Sequence, residues 1–139
     1  GIFIDPSALD WAGIAAMKRA YQIFQERGYR ARVLAAAFRN VNQWAEFVGG
    51  DVVVSPPFKW QKIIADSGYT ARERIADPVD PHYIAELERI PDFVRAYEPD
   101  GMTVEEFEEF GPTRKTLRQF LAADADLDAL VRDIIVPAP

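Results

Sequence analysis

An α/β fold built on a parallel sheet is predicted by three features of residues 30–57. Two short runs, Arg32 to Ala37 and Asp51 to Val54, are too uniformly apolar to leave one face in water, which predicts parallel strands covered on both sides. Between them Val41, Trp44, Ala45 and Val48 recur at helical spacing, and Gly49-Gly50 ends the run. The connections are short, so strand, helix and strand form one crossover unit with adjacent parallel strands.

The rest of the chain extends that alternation. Gly1 to Pro6 is short and apolar and fits a strand end or a loop equally well. Ser7 or Asp10 caps a helix that runs to Arg27, with Ile14, Met17, Tyr21 and Phe24 on one face and Gly28 as its stop. After the second strand, Ser55-Pro56-Pro57 turns the chain into a helix holding Trp60, Ile63 and Ile64. Helix, strand, helix, strand, helix is the order of a (β/α) barrel or of a doubly wound sheet. Strand signals vanish after Val54. Helices are expected from Pro81 with Ile84 and Leu87, from Pro91 with Phe93 and Tyr97, and from a capping box at Thr103 and Glu106. A further helix opens at Pro112, Asp124 to Asp126 punctuates it, and a last helix carries Leu127, Leu130, Val131 and Ile134. Two regions follow from this, residues 1–67 with the βα units and residues 68–139 as a helical C-terminal region.

Composition narrows the function classes. The 139 residues, 49% hydrophobic and 27% charged, suffice for one domain with a sizeable core. A net charge of −6, with acidic residues crowded between Glu98 and Glu109, disfavours a nucleic-acid surface. No run reaches membrane-spanning length, and residues 1–12 lack the pattern of a signal peptide, so a soluble, cytoplasmic protein without a membrane partner is expected. The absence of cysteine removes disulfides and thiolate chemistry. Neither a Gly-rich phosphate loop nor a metal-ligand spacing is present, and no cofactor or metal is expected.

Arg39 is the leading candidate for a ligand contact. It follows the first strand and precedes a helix, at the end of a parallel sheet where ligands bind, and its planar guanidinium suits a phosphate. An arginine ion-paired to a surface carboxylate is the plain alternative. Asn40 and Ser55 occupy the same kind of position and could donate to a phosphate or a sugar hydroxyl, though capping and turn-making also account for them. His82, the single histidine, stands at a helix start, and Glu105, Glu106, Glu108 and Glu109 read as a solvated face. Trp11, Trp44 and Trp60 read as sheet-covering core. Lys18, Lys59, Lys62 and Lys115 all fall on helices, where solvated cations are expected, and none stands at a strand end where a buried amine could form a Schiff base.

The stretch GYRARVLAAAFRNVNQWAEFVGGDVVVSP, Gly28 to Pro56, resembles the transaldolase family, whose seventh and eighth barrel strands carry "GASFRN" and "TISP" sequences. Asp5-Pro6 with the helix to Glu26 is similar to the segment before them, and residues 102–135 resemble the family's terminal helices. The resemblance implies the C-terminal part of a (β/α)8 TIM barrel, its last two parallel strands with their helices, followed by C-terminal helices. It implies a transferase of the pentose phosphate pathway, in which a strand-four lysine forms a Schiff base with a ketose phosphate and passes a dihydroxyacetone unit to an aldose phosphate. Arg39 matches a phosphate ligand of that family, whereas the family's serine two residues earlier is Ala37 here. The Schiff-base lysine and early-strand carboxylates match nothing in this chain, so a companion chain or upstream segment with the first six strands is expected, and no catalytic residue is assigned. A non-catalytic phosphosugar-binding or regulatory module derived from such a barrel is the alternative, and a structural protein a third.

Overall fold

A computed structural model describes residues 3–136, so Gly1-Ile2 of the apolar N-terminal stretch and residues 137–139 lie outside the described residues. The chain divides into two compact units, one ending at Gly101 and the other starting at Met102.

In the first unit the predicted crossover is present. Strands β1 (Val33–Ala35) and β2 (Val52–Val54) are parallel and in direct register, Val33 beside Val52 and Ala35 beside Val54, joined through helix α3 (Val41–Glu46). Each element is shorter than its apolar run, because the runs continue into the turns at either end. One expectation is overturned. Leu34 is 57% exposed and Val54 41%, so within this chain the pair is not covered on both sides. The core comprises Ile14, Ala35, Phe38, Phe47 and Ile75, with Trp11, Trp44 and Trp60 packed against it as expected of sheet-covering residues.

The first predicted helix is two. Asp5, rather than Ser7 or Asp10, caps α1 (Pro6–Leu9) by accepting from the Ser7 N–H at 2.9 Å, with Pro6 in the first turn where its missing N–H costs nothing. Helix α2 (Ala12–Glu26) follows after Asp10 and Trp11, and its buried residues are Ile14, Ala15 and Lys18. Asp80 repeats the Asp-Pro cap at α5 (Pro81–Leu87), after α4 (Phe58–Asp66) and a loop that hydrogen-bonds to the Val48 carbonyl through the Arg74 and Ile75 N–H groups. Trp11 stacks on Tyr83 with ring centroids 4.9 Å apart, tying the start of α2 to α5. Helix α6 (Pro91–Tyr97) closes the unit.

The second unit holds α7 (Val104–Glu109), with the predicted Thr103/Glu106 capping box formed in both directions, and α8 (Gly111–Ile135). Asp124 to Asp126 does not interrupt α8. Aspartate costs only about 0.7 kcal/mol in a helix interior, and without a glycine or proline between 113 and 135 the surrounding alanines and leucines carry the helix through.

Candidate functional site

The carboxyl end of the sheet brings Arg39, Asn40 and Ser55 to one side of the unit. Ser55 extends the ladder by donating its N–H to the Ala35 carbonyl at 2.8 Å, so it lies beside Ala36, where the chain leaves β1. Three residues on, Arg39 is exposed.

The turn between them is made by Ala37, which has φ +56°, the left-handed conformation that a side chain disfavours by about 1–2 kcal/mol. It sends Phe38 into the core, 1% exposed and edge-on to Phe47, and returns Arg39 to the surface. The Arg39 guanidinium folds back along the turn and donates from one nitrogen to the Ala37 carbonyl at 2.8 Å and the Phe38 carbonyl at 3.1 Å. No carboxylate among the described residues pairs with it, which removes the plain surface ion pair. Since glycine has no penalty at positive φ, Ala37→Gly should leave stability unchanged or raise it by up to about 1 kcal/mol, whereas Ala36→Gly should lower it by about 0.5–1 kcal/mol. Urea unfolding of the two variants checks this, and equal losses would contradict the strain assigned to Ala37.

Asn40 is occupied. It is the N-cap of α3 and accepts from the Gln43 N–H at 2.9 Å, while the Gln43 side chain accepts from the Arg39 N–H at 2.6 Å. This reciprocal pair fixes the backbone on which Arg39 rides, and Gln43 is a member of the site that its sequence position did not single out. The Ser55 hydroxyl makes no hydrogen bond among the described residues and stays exposed. The cleft lined by Tyr21, Asp77, Val79 and Ile84 contains none of Arg39, Asn40 and Ser55, so the candidate site is an open sheet end rather than an enclosed pocket.

Elsewhere the chemistry-bearing residues are dispersed. His82 is on α5, with Nε2 4.0 Å from the Asp5 carboxylate. Glu105, Glu108 and Glu109 are exposed on α7, and no group of three or more metal-ligating side chains exists among the described residues. Lys59, Lys62 and Lys115 are exposed, as expected.

Lys18 is not. It is 7% exposed, and its Nζ donates to Glu46 Oε2 at 2.6 Å and to the Arg74 and Asp77 carbonyls at 2.8 and 2.9 Å. The other Glu46 oxygen accepts from Arg74 at 2.7 Å. Burial raises the Glu46 pKa, but the hydrogen bonds and charges of Lys18 and Arg74 outweigh it and hold the carboxyl below its ordinary value. Position could have found this residue, since Lys18 lies four after Ile14 and three before Tyr21, on the apolar stripe of α2. With three acceptors around it, the amine is held inside the unit by its own hydrogen bonds and is not presented to a ligand.

The family described as Transaldolase/Fructose-6-phosphate aldolase matches residues 5–122. A curated transaldolase of Prochlorococcus marinus is 26% identical over 115 residues, 79% of this chain and 34% of the relative. The chain thus spans about a third of the length of that relative. No solved structure matches. Among the described residues no helix is long and apolar enough to cross a membrane.

Proposed function

The chain belongs to the transaldolase/fructose-6-phosphate aldolase family, and from that membership we propose that it supplies the phosphate-binding part of a Schiff-base aldolase that moves a dihydroxyacetone unit between sugar phosphates. The observation that carries this reading is Arg39, an exposed guanidinium at the carboxyl end of a parallel strand, held only by backbone carbonyls and paired with no carboxylate among the described residues. A phosphate dianion offers such a group two oxygens at once, a stronger acceptor than the carbonyls it now holds. Ser55 stands at the same end with its hydroxyl available, and Asn40 contributes by fixing the turn while keeping its amide N–H2 for a ligand.

Two parallel strands do not close a barrel, and parallel strands are normally covered on both faces. The exposed Leu34 and Val54 therefore support a companion chain or upstream segment with the first six strands, which would bring the catalytic lysine and the acid-base carboxylates. Ala37, where a family serine is expected, favours a second reading in which the phosphosugar is bound without being cleaved.

Arg39→Ala in the complete assembly should raise the half-saturating concentration of fructose 6-phosphate by about ten- to a hundredfold, the loss of a charge-assisted contact of roughly 1.5–3 kcal/mol. Affinity for the unphosphorylated sugar should hardly change. An unaltered value, or equal weakening toward both sugars, would count against the phosphate role.

A further inference from the structure

Helices α3 and α7 each carry a polar residue at the third helical position that reaches back toward the chain before the helix. In α7 the reach is of the ordinary kind, the Glu106 carboxylate accepting from the N–H of the capping residue Thr103 at 2.9 Å. In α3 it goes one residue further. The Gln43 side-chain carbonyl passes the cap, Asn40, and accepts from the Arg39 N–H at 2.6 Å, while the Asn40 side chain accepts from the Gln43 N–H at 2.9 Å. Gly13 of α2 leaves the room for this, since a Cβ on it would stand 3.1 Å from Gln43 Nε2.

The residue so held is exposed, and an exposed arginine ordinarily samples many rotamers and gives up that freedom when it binds. Arg39 has given it up already. Its backbone N–H is taken by Gln43, and Nη1 donates to the Ala37 and Phe38 carbonyls at 2.8 and 3.1 Å. The remaining donors of the guanidinium, on Nε and Nη2, make no hydrogen bond among the described residues, and together they form the edge of the fork that takes two oxygens of a phosphate.

We propose that Gln43 is a positioning residue for the phosphate contact: by clasping the Arg39 N–H it fixes the turn whose carbonyls hold Nη1, and so presents the Nε–Nη2 edge to the phosphate group of a sugar phosphate. This rests on the reading of Arg39 as a phosphate ligand. Gln43 itself touches no substrate, and its effect passes through Arg39.

Gln43→Met keeps the length and the helix-forming character of the side chain and removes the acceptor. In the complete assembly it should raise the half-saturating concentration of fructose 6-phosphate about two- to tenfold, the range expected for ordering one long side chain on binding, with that of unphosphorylated fructose unchanged. In an Arg39→Ala background the same substitution should add nothing, because the two residues act as one contact. On the 139-residue chain, exchange of the Arg39 amide hydrogen followed by NMR should be slow for so exposed a residue and faster in Gln43→Met, with the amides of α2 unaffected. If Arg39→Ala leaves the fructose 6-phosphate value unaltered, the phosphate reading itself fails and this proposal with it. If Arg39→Ala weakens binding but Gln43→Met does not, the phosphate reading stands and Gln43 is a helix cap only, which overturns the proposal alone. Losses that multiply in the double variant, or an Arg39 amide that exchanges equally fast in both chains, would overturn it too.

Discussion

Replacing Glu46 by alanine is expected to lower the stability of the unit ending at Gly101 by about 3–5 kcal/mol, the cost of leaving a buried cation without its counter-charge. Lys18 would keep the Arg74 and Asp77 carbonyls but lose the carboxylate at 2.6 Å, in a site only 7% exposed. The double variant Lys18→Met/Glu46→Leu should recover part of the loss, since it removes the buried cation together with its counter-charge but leaves Arg74 without its carboxylate. By contrast Glu109→Ala, which breaks a pair with Arg114 on the surface, should cost no more than about 1 kcal/mol. Urea unfolding at neutral pH measures all three. The acid limb adds a second signature. Because the folded carboxyl titrates below its ordinary value of 4.5, its contribution is complete above that value and is lost as pH falls through the lowered one. The stability of Glu46→Ala should therefore fall less steeply with acid than that of the wild type. Equal acid slopes, or a loss as small as that of Glu109→Ala, would contradict the buried triad.

This triad also marks where the sequence stops being legible. The crossover from β1 through α3 to β2 can be read directly, because apolar spacing changes from continuous to helical and back, and glycine closes the helix. Capping at Thr103 and Glu106 is equally local, since its partners are three residues apart. The Lys18–Glu46 contact joins residues 28 apart and the Lys18–Arg74 contact 56 apart, so no window of sequence contains them. A lysine on a helix is ordinarily a solvated cation, and only its place on the apolar stripe of α2 argues otherwise. The candidate site divides in the same way. Arg39 at a strand end follows from the order of elements. The left-handed turn at Ala37 does not, because alanine gives no sign of positive φ, and neither does the Gln43 clasp that occupies the Asn40 side-chain carbonyl. The continuity of α8 across Asp124 to Asp126 shows the limit of reading breakers from single residue types, since helix propensity summed over the whole segment decided it.

The largest functional effect expected is all-or-none. Schiff-base chemistry needs a neutral amine held within reach of the substrate carbonyl. Of the four lysines in the chain, Lys59, Lys62 and Lys115 are exposed on helices, and Lys18 is locked among three acceptors. Lys59 opens α4 just after β2, near the end of the sheet that carries Arg39 and Ser55, but it is exposed to solvent rather than buried. The chain alone is therefore expected to turn over no sugar phosphate, and addition of a polypeptide carrying the first six strands to establish activity that depends on Arg39. Borohydride trapping with fructose 6-phosphate, followed by peptide mass spectrometry, tests this division of labour most directly. No adduct is expected on the 139-residue chain, and in the mixture one is expected on a lysine of the added polypeptide. An adduct mapped to Lys18, Lys59, Lys62 or Lys115 would contradict it and place the reacting centre within this chain.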